Sequence, residues 1–210
     1  MNPAEILQQV AQETAACTLC PLHHGRKNAV PGSGPADAEI MFIGEGPGFH
    51  ENEQGLPFVG AAGKFLDELL AGIGLGREQV FIANVVKCRP PGNRDPLPAE
   101  LSACDPYLER QIKAINPKVI VTLGRFSMNR FLPHAKISSA HGQPVTVNGR
   151  LVVPFFHPAA ALHQASLRPT VEADFAKLPA LIRAAAATPE AAQPSPTDSP
   201  KEEPKQLSLF

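Results

Sequence analysis

Four apolar runs punctuate the chain, at 38–43, 80–86, 118–124 and 151–156, and the segments between them carry apolar residues at helical spacing. Runs with little polar alternation suit strands buried on both faces, as in a parallel sheet. From 60 to 75, Phe65, Leu66, Leu69, Leu70 and Ile73 recur every three or four residues until Gly74 and Gly76 stop the pattern. Residues 2–16 predict an N-terminal helix with Ile6 and Val10 on one face, and 98–115 a helix opened by Pro98 that Pro106 would kink. Further helices are expected over 125–132 and 170–187. The polar stretch 137–150 predicts a hairpin around Asn148-Gly149, and Pro154 places its strand at an edge or a bulge. This alternation predicts an α/β fold, a three-layer αβα sandwich around a mostly parallel four-stranded sheet.

In such folds ligands bind beyond the carboxyl ends of the strands. Here those ends carry Gly44-Glu45-Gly46-Pro47-Gly48, Asn84 followed by a basic, proline-rich loop over 87–96, Gly124-Arg125, and His157-Pro158. Three glycines in five residues remove side chains where the backbone must be approached closely or must turn. Turn geometry alone would also account for them. The neighbouring carboxylate, carboxamide, histidine and basic residues make the rim a candidate site.

Length and charge narrow the class. At 210 residues the chain suits one core, over 1–187, plus an appendage at 188–210 interrupted by Pro189, Pro194, Pro196, Pro200 and Pro204. No apolar run approaches the roughly 20 residues needed to span a bilayer, and the N-terminus lacks a signal pattern, so a cytoplasmic protein is expected. Net charge is −1; residues 184–210 hold Lys201 and Lys205 against Glu190, Asp198, Glu202 and Glu203, which leaves the body at +1. Nucleic-acid affinity would therefore need a local basic patch rather than bulk charge.

The four cysteines are Cys17, Cys20, Cys88 and Cys104. A C-x2-C pair plus two distant cysteines is a frame for four thiolates around a metal centre, with zinc and an iron-sulfur cluster both open. Disulfides, which a cytosolic setting disfavours, and buried unliganded cysteines, which the C-x2-C spacing and the adjacent Pro21 disfavour, are the alternatives.

The chain resembles family 4, the iron-sulfur-containing uracil-DNA glycosylases of bacteria and archaea. The resemblance covers nearly the whole body: the cysteine frame with its long middle gap, G-E-G-P-G at 44–48, G-x-P-F-V-G-x-A-G at 55–63, N-V-V-K-C-R-P-P-G-N-R-x-P at 84–96, and H-P-A at 157–159. It implies that Cys17, Cys20, Cys88 and Cys104 hold a 4Fe-4S cluster of architectural role. It further implies a monofunctional enzyme that flips deoxyuridine from single- or double-stranded DNA and hydrolyses its N-glycosidic bond. Phe58 would stack on the extruded base, Asn84 would pair with uracil N3–H and O4, and Gly44 and Gly46 would let the backbone close on the base. His157 would donate to uracil O2 as the bond lengthens, and Glu45 would orient the attacking water or stabilise the cationic sugar, a loop-holding role being the alternative. Other uracil-DNA glycosylases carry Asp one residue later, where this chain has Gly46. Glu51 matches an acidic position near uracil C5, although Asn52 and Phe49-His50 depart from the family's acidic run.

For DNA contact the same reading assigns Lys87, Arg89 and Arg94 to phosphates and Leu162 as a wedge, a packed core leucine being the alternative. A non-catalytic iron-sulfur DNA-binding or redox module on the same fold is the competing function. A covalent uracil-trapping relative would need a histidine in the loop after Cys88, where Arg89-Pro-Pro-Gly-Asn-Arg94 has none. Finally, Gln206, Leu207, Leu209 and Phe210 resemble the bacterial sliding-clamp-binding motif, on a chain otherwise expected to be a monomer.

Overall fold

The computed structural model describes residues 1–187. The expected tail at 188–210, with Gln206, Leu207, Leu209 and Phe210, lies outside them. Helix α1 (Pro3–Ala16) opens with a reciprocal cap: Asn2 Oδ1 accepts from Glu5 N–H and Glu5 accepts from Asn2 N–H. The chain then alternates through β1 (Ile40–Gly44), α2 (Phe49–Gln54), α3 (Ala61–Gly72), β2 (Phe81–Asn84), α4 (Pro98–Ile115), β3 (Val119–Leu123) and α5 (Arg125–Phe131). It closes with α6 (Ile137–Ala140), β4 (Val145–Val147), β5 (Arg150–Phe155), α7 (Pro158–His163) and α8 (Arg168–Ala187). Among the described residues no helix is long and apolar enough to cross a membrane.

The strands form one five-stranded sheet in the order β2-β1-β3-β5-β4, parallel except for β4. This corrects the four-stranded expectation: the hairpin at Asn148-Gly149 forms, and its first arm adds a fifth, antiparallel strand. Pro154 therefore does not stand on the outermost strand. Its carbonyl accepts from Gly142 N–H at 2.8 Å, on the outward side that a residue's N–H would share, and β4 pairs only as far as Val152. The missing donor thus costs no ladder bond. Pro106 lies inside α4 without ending it.

Side chains along each strand alternate between two cores. Phe42, Ile82, Val119, Val121, Val153 and Phe155 point to the face covered by α3, α7 and α8, where Leu66, Leu70, Phe175 and Leu178 are buried. Met41, Ile43, Phe81, Ala83, Ile120 and Val152 point to the other face, against Leu108, Ile112 and Ile115 of α4. Period-two alternation between two buried layers is why these runs lack a polar face. Because β2 and β3 flank β1, the connections leaving the sheet diverge at the carboxyl ends, and a crevice opens there.

Candidate functional site

The crevice is lined by residues from all four parallel strand ends, among them Glu45, Phe58, Asn84, Arg125 and His157. Phe58 carries backbone φ of 52° and is buried, an uncommon conformation for a bulky side chain. Neighbours hold it there: Arg77 Nη1 donates to the Phe58 carbonyl at 2.8 Å and Arg77 Nη2 to that of Pro57. A Cβ on Gly63 would collide with the Phe58 carbonyl, and one on Gly44 would come within 2.7 Å of the Phe58 ring. Two motif glycines thus exist to let this aromatic ring close over the end of β1.

Asn84 ends β2 and is 1 % exposed, yet among the described residues its Oδ1 has no hydrogen-bond partner. An unpaired buried carbonyl costs about 1–3 kcal/mol, so one facing a pocket marks a donor that arrives with a ligand. Beside it, the His157 ring stacks on Phe58. His157 Nδ1 accepts from Ala159 N–H at 3.1 Å, which leaves the ring proton on Nε2. Burial pushes the His157 pKa down to about 4, so the imidazole is neutral at physiological pH.

Glu45 packs over Gly124, whose φ of 95° and lack of Cβ make the room. Its Oε1 faces the Phe126 N–H at the start of α5 at 3.5 Å. Burial raises the Glu45 pKa, opposed by that N–H and by Arg125. Arg125, expected on the rim but given no role there, lines the same pocket and pairs with Asp95 across its rim. A glycine before a helix start at a strand end was the available signal. Gly46 also lines the pocket, where a Cβ would approach Val86 to 2.9 Å.

Several expected contacts are redirected. Glu51 lines the pocket, but its Oε2 accepts from Gly48 N–H at 3.1 Å and its Oε1 from Val59 and Gly60 N–H at 2.9 Å each. It staples the glycine loop to the Phe58 segment. Lys87 is not a surface cation: it is 1 % exposed with both Nζ partners inside the protein, so it cannot reach a phosphate. Arg94 forms a bidentate pair with the buried Glu100, at 2.8 and 2.6 Å, which commits its guanidinium to the fold. Arg89 stays on the rim, held by Asn93 Oδ1 at 2.8 Å and lying over the exposed Phe49 ring. Leu162 is 48 % exposed, which rules out the packed-core alternative.

A second pocket is lined by all four cysteines, drawn from the end of α1, the turn after it, the segment following β2, and α4. None forms a disulfide. Arg26 donates to the Cys17 carbonyl at 2.8 Å and to Cys88 Sγ at 3.5 Å, and Lys87 N–H donates to Cys104 Sγ at 3.2 Å. Burial raises the Cys88 thiol and pushes Cys104 up to about 11, because a low-dielectric surrounding disfavours the charged thiolate. Among the described residues no three His, Cys, Asp or Glu side chains stand close enough to hold a single metal ion.

Comparison with known proteins gives a consistent relation. Residues 31–179 match the uracil DNA glycosylase superfamily. The chain is 47% identical over 196 residues to the Type-4 uracil-DNA glycosylase of Sulfurisphaera tokodaii, covering 88% of this chain and 86% of that one. With the Type-4 uracil-DNA glycosylase of Archaeoglobus fulgidus it shares 49% over 183 residues, covering 83% and 92%. With that of Thermotoga maritima it shares 45% over 184 residues, covering 85% and 96%.

Proposed function

The chain belongs to the Type-4 uracil-DNA glycosylase family, and from that membership and the pocket together we infer that it releases uracil from DNA by hydrolysing the N-glycosidic bond. The observation that carries the reading is the partnerless Asn84 Oδ1 beside Phe58 and His157. A base reaches this pocket only when extruded from the helix. Uracil N3–H supplies the donor that Oδ1 lacks, and the amide nitrogen then faces O4. Cytosine would set its N4 amine against that nitrogen, a buried mismatch of about 1–3 kcal/mol.

Phe58 supplies the stacking face. Negative charge collects on uracil O2 as the bond to C1′ lengthens, and His157 Nε2–H donates to it there, an interaction that strengthens only toward the transition state. Water attacks C1′ and gives up a proton to Glu45, whose pKa is raised by burial, with the Phe126 N–H and Arg125 opposing the rise. Gly44 and Gly46 keep the cradle narrow. Glu51 acts through the loop it staples, and Arg89 and Leu162 act at the rim on duplex or single-stranded DNA. Incubation with a uracil-containing oligonucleotide, followed by alkali, should cut at the uracil and leave a thymine control intact; no cleavage by metal-loaded protein would overturn the reading.

Cys17, Cys20, Cys88 and Cys104 would hold a 4Fe-4S cluster. An all-sulfur donor set gathered around one pocket supports this. The cluster would supply a structural cross-link between α1 and α4. The protein would act as a cytoplasmic monomer. Its tail, 188–210, would carry Gln206, Leu207, Leu209 and Phe210 to a sliding clamp, raising the local concentration of enzyme on replicating DNA. Deleting 206–210 should abolish clamp pull-down and spare activity on free oligonucleotides.

A further inference from the structure

We propose that Lys87 is a positioning residue for uracil reading, tying the end of β2 that carries Asn84 to the cysteine-lined pocket. The proposal rests on the function argued above. A lysine that is 1 % exposed is unusual, because an ammonium taken out of water costs several kcal/mol unless its protons are bonded. Here two of the three are spent on named acceptors: the Asn84 carbonyl at 2.9 Å and Gln111 Oε1 at 2.7 Å.

The first contact bears directly on base selection. β2 ends at Asn84, and the chain turns away there toward Cys88. By donating back to the carbonyl three residues earlier, Lys87 closes that turn and sets the backbone from which the Asn84 carboxamide projects. The second contact anchors the staple. Gln111 belongs to α4, and its Nε2 donates to the Pro31 carbonyl at 2.7 Å, so α4 and the segment before β1 are held by the same group.

The main chain of Lys87 completes the link. Its N–H donates to Cys104 Sγ at 3.2 Å, and its carbonyl accepts from Val30 N–H at 2.8 Å. One residue therefore touches a sulfur of the cysteine pocket with its backbone and the support of the base-reading carboxamide with its side chain. Displacement of Cys104 or α4 is passed to Asn84 through this residue, which makes the cysteine pocket more than a remote brace. A methionine would fill the same volume and satisfy neither carbonyl oxygen. Loss of the donors leaves two buried acceptors unpaired and the strand end free to shift, and a displacement of about 1 Å at a reacting group can cost roughly a hundred-fold in rate.

The test is a double-mutant cycle on the metal-loaded protein. Lys87→Met, Asn84→Ala and the double variant are compared in kcat/KM on a uracil oligonucleotide and in calorimetric affinity for free uracil, with iron content and melting temperature recorded for each. If Lys87 works through Asn84, Lys87→Met loses about ten- to a hundred-fold in kcat/KM and weakens free-uracil binding at unchanged iron content. On the Asn84→Ala background it then costs little further. An equal loss on both backgrounds, or a loss of activity without loss of uracil affinity, overturns the proposal. Should Lys87→Met not fold, Gln111→Leu keeps the ammonium and every cysteine contact and is scored on the same cycle by the same criteria. Wild-type protein that releases no uracil would sink the functional reading itself, whereas additive losses in an active protein sink only the role of Lys87.

Discussion

Phe58 and His157 stack with ring centroids 5.4 Å apart and planes 23° from parallel, although 99 positions separate them in the chain. The aromatic wall of the pocket and its hydrogen-bond donor are thereby one packed unit. Moving either ring moves the other.

His157 should act as a neutral donor. Its pKa, held at about 4 by burial against an ordinary value of 6.5, means that the unfolded chain binds the proton first as pH falls. The sign follows: this residue's contribution to stability is complete above about pH 6.5 and is lost on descending toward pH 4. His157→Ala should remove that part of the acid sensitivity, read as a smaller drop in urea midpoint between pH 7 and pH 5. It should also lower kcat by about a hundred- to a thousand-fold, as when one donor to a developing anion is deleted. A wild-type kcat that falls away above pH 6.5 would contradict a neutral imidazole.

Glu45 has its pKa raised, chiefly by burial, so the folded state favours its neutral form. Stability from this residue is therefore lost as pH rises through the ordinary carboxylate range, while activity is gained once the folded group ionises. Glu45→Gln should melt at or above the wild-type temperature near neutral pH and lose at least ten-fold in kcat. The acid limb of its pH–rate profile should flatten, and a limb of unchanged midpoint would assign that titration elsewhere.

Gly63→Ala should disturb the site without touching substrate, because its Cβ would overlap the Phe58 carbonyl. Overpacking of this kind costs about 1–3 kcal/mol. Weaker free-uracil binding should accompany a lower melting temperature. Gly72→Ala, within α3 where a Cβ meets nothing within 4 Å, is the control: it should leave uracil binding unchanged and hold or slightly raise the melting temperature.

Arg94 and Leu162 should separate fold from DNA contact. Glu100 is 1 % exposed and has its pKa lowered chiefly by Arg94, so the pair stabilises above the ordinary carboxylate range and is lost as pH falls. Arg94→Ala should lower the melting temperature at pH 7 more than at pH 4 and leave the salt dependence of DNA binding nearly unchanged. A phosphate contact would reduce that salt slope by about one. Leu162→Ala, at an exposed position five residues beyond His157, should slow uracil release from duplex about ten-fold more than from single strands, as expected of a wedge that fills the gap left by an extruded base. Equal effects on both substrates would remove the wedge assignment.

The sequence alone determined what depends on local pattern. Unbroken apolar runs specified strands with two buried faces, Pro98 opened α4, Asn148-Gly149 turned the hairpin, and the logic of strand ends placed Glu45, Asn84 and His157 on one rim. The fifth strand, the first arm of the expected hairpin, did not read as part of the sheet because Val145-Thr-Val is short and largely exposed.

Only the tertiary structure decided which polar groups are free to act. Lys87 and Arg94 read as surface cations in a basic loop, but Lys87 is buried against Gln111 of α4 and the exposed Arg94 is paired with Glu100 of the same helix, 24 and 6 positions away. Glu51 read as a substrate contact, but backbone donors 8 and 9 positions downstream consume its carboxylate. Conversely, Asn84 is left with an unpaired oxygen by the packing of its neighbours. Local pattern reports what a residue prefers; the partner it finds depends on which distant segments the sheet brings together, and hydrogen bonds act only over about 3 Å.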